Sequence, residues 1–131
     1  MIKRYGIRGS IKLIISTIYT RLAFPQARII RLPFDIRNRK YISIGKKFTT
    51  GFNCRIEAFP EDDKKCLHIG ENVQINDYVH IAAVENIFIG DNVLIASKVF
   101  ITDISHGCYD NLGVPDSPLV APNDRKLVQN Q

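Results

Sequence analysis

The chain has 131 residues, 45% of them apolar and 24% charged, with three cysteines and no tryptophan. That suits one folded domain able to remove roughly two-thirds of its unfolded surface from water, and it excludes a disordered chain or a disulfide-rich scaffold. The net charge of +5 hides a split: residues 1–47 hold twelve Lys or Arg against Asp35 alone, and residues 48–131 hold six bases against twelve acids.

A basic N-terminal part suits an anionic partner. Charge alone fits a membrane surface or nucleic acid. The bases are dispersed, however, and no aromatic residues are interleaved with them for stacking, so nucleic acid is not an expected partner. The odd cysteine count without a CxxC pair argues against a zinc ribbon. With no cleavable signal peptide, the expected compartment is the reducing cytoplasm.

Residues 10–24, "SIKLIISTIYTRLAF", predict an amphipathic helix with Ser10 as N-cap and Pro25 as stop. Ile11, Ile14, Ile15, Ile18 and Leu22 recur at helical spacing. The apolar run falls well short of the ~20 residues that span a bilayer. Two destinations fit the apolar face. One is a membrane interface beside Lys3, Arg4 and Arg8, which would hold the protein peripherally at the inner face of the membrane through residues 1–24. The other is the protein's own domain or a neighbouring subunit. Residues 1–27 thus form a basic helical segment. Residues 28–42 read as extended, with Pro33 pointing to an edge or irregular strand.

The centre of the chain repeats itself. "LHIGENVQINDYVHIAAVEN" (67–86) and "IFIGDNVLIASKVFITDISH" (87–106) share seven of twenty residues without gaps. A weaker copy precedes them, with Ile44, Phe48, Thr50, Cys54 and Ile56 at the corresponding places, and "PEDDKK" at 60–65 lengthens it as an outward loop. Within a copy Ile69, Ile75 and Ile81 recur every six residues, and Val73 and Val79 fall four after an Ile. A helix repeats at 3.6 and a single long strand at 2. A beat of six therefore means short strands separated by turns, three to a coil, with aliphatic side chains inward. Such coils bury their inner faces only by stacking. An antiparallel meander has no reason to keep this beat and would want Asn-Gly hairpin turns, which are absent. The Gly of each "IG" suits a corner with little room for a side chain.

The runs "IGENVQI" and "IGDNVLIASKVFI" resemble the hexapeptide-repeat acyltransferases, above all the maltose, galactoside and O-antigen acetyltransferase group. The resemblance covers about 28–131. It implies an all-β fold, a left-handed parallel β-helix of about three coils over 28–106 behind the N-terminal helix, assembled as a homotrimer. It also implies acetyl-CoA as co-substrate and a sugar or glycan hydroxyl as acceptor, in cell-surface polysaccharide biosynthesis.

The family keeps its catalytic His just beyond a coil, seven residues after the last inward Val, and here Val99 is followed at that distance by His106. A neutral imidazole, with an unperturbed pKa of about 6.5, can take the proton from an attacking hydroxyl, and the resulting oxyanion would need nearby donors. No acyl-enzyme is required, so Cys108 is read as an incidental loop thiol. Asp103 is a candidate to orient His106 or hold a sugar hydroxyl, or it is an Asx-turn residue. Asn76 and Asp77 interrupt an aliphatic run and are candidates to meet the acceptor, or they are corner residues.

His68 and His80 each precede an inward Ile and should point outward, so the zinc site of the related γ-type carbonic anhydrases, and metal generally, is not expected. Residues 107–131 read as one extended loop. In the family such a loop returns to further coils, so the chain reads as an acetyltransferase lacking its C-terminal coils. The alternative reading is a non-catalytic scaffold or oligomerisation module on the same β-helix.

Overall fold

The six-residue beat folds as short parallel strands stacked coil on coil. The structure is a computed structural model that describes residues 2–106, 119–124 and 127–129. The first coil is built from β1 (Phe34–Arg37), β2 (Ile42–Ile44) and β3 (Thr49–Thr50), and the second from β4 (Cys54–Ala58), β5 (Leu67–Ile69) and β6 (Gln74–Ile75). The third contains β7 (His80–Ala83), β8 (Ile87–Ile89) and β9 (Leu94–Ile95), and β10 (Phe100–Thr102) begins a fourth. Strands from successive coils pair in parallel to form the three sides of a prism, ordered β1-β4-β7-β10, β2-β5-β8 and β3-β6-β9.

The register matches the repeat. Ile44, Ile69 and Ile89 lie in one row, Thr50, Ile75 and Ile95 in a second, and Ile56, Ile81 and Ile101 in a third. The expected edge strand after Pro33 is β1, which pairs only with β4 in its sheet. The 60–65 insertion leaves the prism between β4 and β5, and Glu61–Lys65 are exposed.

Inward residues from β5 to β7 are fully buried, including Leu67, Val73, Ile75, Val79 and Ile81. Their counterparts one coil on, Ile87, Ile89, Val93, Val99 and Ile101, are half-buried against the same core. Thr50 is a polar exception at an inward station, and its Oγ1 accepts the Arg31 N–H at 3.0 Å, so the buried hydroxyl is satisfied.

At the corners the left-handed backbone positions belong to Lys47, Asn72, Asn92, Asn53, Tyr78 and Lys98. Of the "IG" glycines, Gly45 and Gly70 are needed instead for space, and Gly90 is not. A Cβ on Gly70 would lie 2.4 Å from Asp91 Oδ1 and 2.8 Å from the Gly90 carbonyl carbon.

The N-terminal helix α1 (Ile2–Ala23) begins earlier than expected, with a break at Gly6 (φ 66°). Ser10 is therefore not the N-cap. It lies inside the helix, where its hydroxyl donates to the Gly6 carbonyl at 2.8 Å beside the break. The helix does end before Pro25. It packs on the prism with its polar side: Ser10, Ser16 and Thr20 are its buried residues, and the Ile stripe faces outward.

The reason is hydrogen bonding. The segment 24–32 crosses the N-terminal end of the prism, covering Phe48 with Phe24, Ala27 and Ile30. Ser16 Oγ accepts the Leu32 N–H at 3.0 Å and Thr20 Oγ1 accepts the Ile30 N–H at 2.8 Å. Isoleucines in those places would leave buried N–H groups without acceptors.

Within the stretch expected as a loop, β12 (Leu127–Gln129) pairs antiparallel with β11 (Ile104–His106), and Pro122–Asp124 form a single 3-10 turn.

Candidate active site

Parallel strands leave each corner with N–H groups that the ladder does not use, and short carboxylates answer them. Asp91 Oδ1 accepts the Glu71 N–H at 2.7 Å from the coil below. Asp77 Oδ1 does the same for Phe52 at 2.8 Å. Each carboxylate sits over a glycine, Gly70 and Gly51 respectively, where a Cβ would collide with it.

Asp103 extends the pattern. It stands between β10 and β11, and its carboxylate accepts three successive N–H groups, from Val84, Glu85 and Asn86, at 2.8, 2.9 and 2.8 Å. Both oxygens are thus committed to the corner one coil down. A carboxylate held in this way is a charge-assisted anchor, and the chain it anchors continues directly into β11. Ile104 adds a bond from its N–H to Thr102 Oγ1 at 3.2 Å. His106 is the last residue of β11, with its backbone opposite Leu127, and its side chain lies outside the described residues. Cys108 also lies outside them.

Asp77 belongs to a different place. It lines a cavity of about 360 Å³ between α1 and the corner before β7, together with Tyr5, Lys12, Arg31, Phe52 and Tyr78 among others. Asn76 does not line it, and its Oδ1 accepts from Gln74 Nε2 at 3.2 Å. Asp77 precedes β7, and Val84, which Asp103 holds, follows it. At about 3.3 Å per residue the two corners are roughly 20 Å apart. The fold brings Asp103 and the backbone of His106 together but leaves Asn76 and Asp77 on the far edge of that side.

Two features, one on the outer face of the prism and one buried, were not anticipated. Glu57, only 7% exposed, places Oε1 2.7 Å from His80 Nε2 and Oε2 2.9 Å from the Arg55 guanidinium. Arg37 approaches at 3.7 Å and Phe100 lies against the imidazole. The clue was in the register: Asp35, Arg55, His80 and Phe100 occupy one outward row, and Arg37 and Glu57 the next. His68 stacks on Phe88 at 4.4 Å. Among the described residues, no three His, Cys, Asp or Glu side chains converge on a point that could hold a metal ion. The second feature is Cys66, buried near Asp103. Burial pushes its thiol above the ordinary value, and the Asp103 charge adds to the effect.

Stacked coils of three short strands each, with a His-bearing strand anchored to the last corner, form the left-handed parallel β-helix expected from the hexapeptide repeats. Comparison with known proteins agrees. Over 125 residues the chain is 44% identical to the protein named "Putative lipopolysaccharide biosynthesis O-acetyl transferase WbbJ" of Escherichia coli (strain K12), a match covering 95% of this chain. The chain is thus similar to a protein named as an O-acetyl transferase, and the match spans 62% of that relative's length. No family profile and no solved structure matches the chain.

Proposed function

We propose that the protein is an O-acetyltransferase of cell-surface polysaccharide biosynthesis, moving an acetyl group from acetyl-CoA to a sugar hydroxyl with His106 as general base. The similarity to a protein named for O-acetyl transfer carries this reading. The Asp103 anchor supports the role of His106, because a base must be held within hydrogen-bond reach of the hydroxyl whose proton it takes.

In the reaction, the imidazole accepts the hydroxyl proton as the sugar oxygen attacks the thioester carbonyl carbon. The tetrahedral intermediate then collapses, the carbon–sulfur bond breaks, and the proton passes to the departing coenzyme A thiolate. Products are the acetyl ester and free coenzyme A. Cys108 forms no bond to the acyl group. Asp103 serves as a positioning residue for β11, its carboxylate already satisfied by the backbone.

The working unit in this reading is a homotrimer. The distance between the Asp77 corner and the Asp103 corner supports it: Asn76 and Asp77 reach an acceptor near His106 only if a neighbouring subunit supplies them. The compartment is the cytoplasm, where acetyl-CoA is made.

Free-thiol release from acetyl-CoA with a panel of oligosaccharides tests the reaction. His106→Ala should lower the rate by about 10²-fold or more, the usual contribution of a general base, with an unchanged melting curve. Equal rates in wild type and variant would remove His106 from the mechanism. No release with any acceptor would favour the non-catalytic scaffold.

A further inference from the structure

The outward stripe of α1 is an apolar feature that the fold does not use. Past the break at Gly6, Ile7, Ile11, Ile14, Ile15, Ile18 and Leu22 fall within an arc of about 100° on the helix, and each is between 50% and 81% exposed. Their backs are not free to rotate inward, because Ser16 and Thr20 on the opposite side hold the Leu32 and Ile30 N–H groups. The helix is thus fastened by its polar side and presents its apolar side.

Charge says what that side faces. Residues 1–34 contain Lys3, Arg4, Arg8, Lys12, Arg21, Arg28 and Arg31, and no Asp or Glu. On the same projection Arg8 and Lys12 border one edge of the stripe and Arg21 borders the other. All three are exposed. An apolar stripe edged by cations on both sides, on a helix held flat against a folded body, is the arrangement of an interfacial helix. No helix among the described residues is long and apolar enough to cross a membrane.

We propose that this face docks on an anionic lipid bilayer, the isoleucines entering the acyl boundary and the flanking Lys and Arg meeting the headgroups. A contact between the same faces of two copies would set these cations against one another without a single acid to offset them. The surface does not depend on the catalytic reading, since none of these residues belongs to that site.

Flotation of the 131-residue chain with vesicles of phosphatidylglycerol and phosphatidylcholine (3:7), against pure phosphatidylcholine, tests the proposal. The protein should float with the anionic vesicles only, and 0.5 M salt should weaken binding. Ile14→Ser/Ile18→Ser should lower the partition coefficient by tenfold or more with an unchanged melting curve, since both side chains are already exposed. Arg4→Gln and Arg8→Gln should each lower it roughly fivefold. Sedimentation velocity without lipid completes the test and should show one assembly size for all variants. Absence of flotation, equal binding to neutral vesicles, or a smaller assembly for the Ile14→Ser/Ile18→Ser protein with undiminished vesicle binding would each overturn it. The last result would make the face a subunit interface.

Discussion

Replacing Asp103 by Ala tests whether the root of β11 is held as the structure shows it. Three N–H groups lose their acceptor at once. Val84 is 6% exposed, so its N–H is left nearly dry, at a cost of about 1–3 kcal/mol. Glu85 and Asn86 are exposed and their N–H groups rehydrate, so each loses only about 0.5–1 kcal/mol, the low end for a net hydrogen bond. The expected destabilisation is about 2–5 kcal/mol. Asp103→Asn keeps the shape and one acceptor oxygen and should cost about 1–2 kcal/mol.

Urea unfolding measures the totals. Amide hydrogen exchange locates them, with faster exchange expected at Val84, Glu85 and Asn86 and unchanged protection in β4 and β5. A loss below about 0.5 kcal/mol for Asp103→Ala, the size of an ordinary surface substitution, would refute the reasoning, as would unaltered exchange at the three amides.

Two glycines that look alike in sequence should respond differently. Gly70→Ala puts a Cβ 2.4 Å from Asp91 Oδ1 and 2.8 Å from backbone, and should destabilise by about 1–3 kcal/mol, the range for overpacking. Gly90→Ala meets nothing within 4 Å and should change the melting temperature little, so equal effects would contradict the close stacking. The thiols give a pH test. Burial raises Cys54 and Cys66 above their ordinary value, and the Cys54 thiol also donates to the Asn76 carbonyl at 3.0 Å. In a Cys108→Ser background, Ellman's reagent at pH 7 should react with neither until the protein unfolds. Because both folded pKa values exceed the unfolded ones, the thiols' contribution to stability is complete below about pH 8.5 and is lost as pH rises through the folded values. Urea midpoints at pH 7 and pH 10 should fall in that order, and a midpoint that rises with pH would contradict the burial.

The prism was legible because its periodicity is strict. Ile69, Ile75 and Ile81 had to point one way for the chain to close on itself, and the twenty-residue offset between copies became the strand register unchanged. The helix was half legible. Its stop at Pro25 and its apolar stripe read correctly, its start did not, and its orientation stayed open between two readings. Residue types alone cannot say that an apolar face is turned away, because that outcome rests on two distant N–H groups, Ile30 and Leu32, needing the hydroxyls of Thr20 and Ser16. Corner carboxylates were similarly ambiguous. Asp77, Asp91 and Asp103 follow no common spacing that separates an anchor from a ligand, and only the coil beneath each one decides. The Glu57–His80 pair spans 23 positions and became visible only once register was known.

In the reaction proposed above, these anchors would let a stack of short strands place His106 as the base. Three corners are tied to the corner below: Gly51 and Phe52 under Asp77, Gly70 and Glu71 under Asp91, and Val84 to Asn86 under Asp103. The position of β11 is therefore inherited from the coil beneath it, where β7 and the turn before it bury Ile81 and Val79 at 0% exposure. A general base needs a fixed approach to a hydroxyl more than it needs a deep pocket. A stack of coils supplies that at its edge, where the strand carrying His106 leaves the prism and the carboxylate of Asp103 keeps it from drifting.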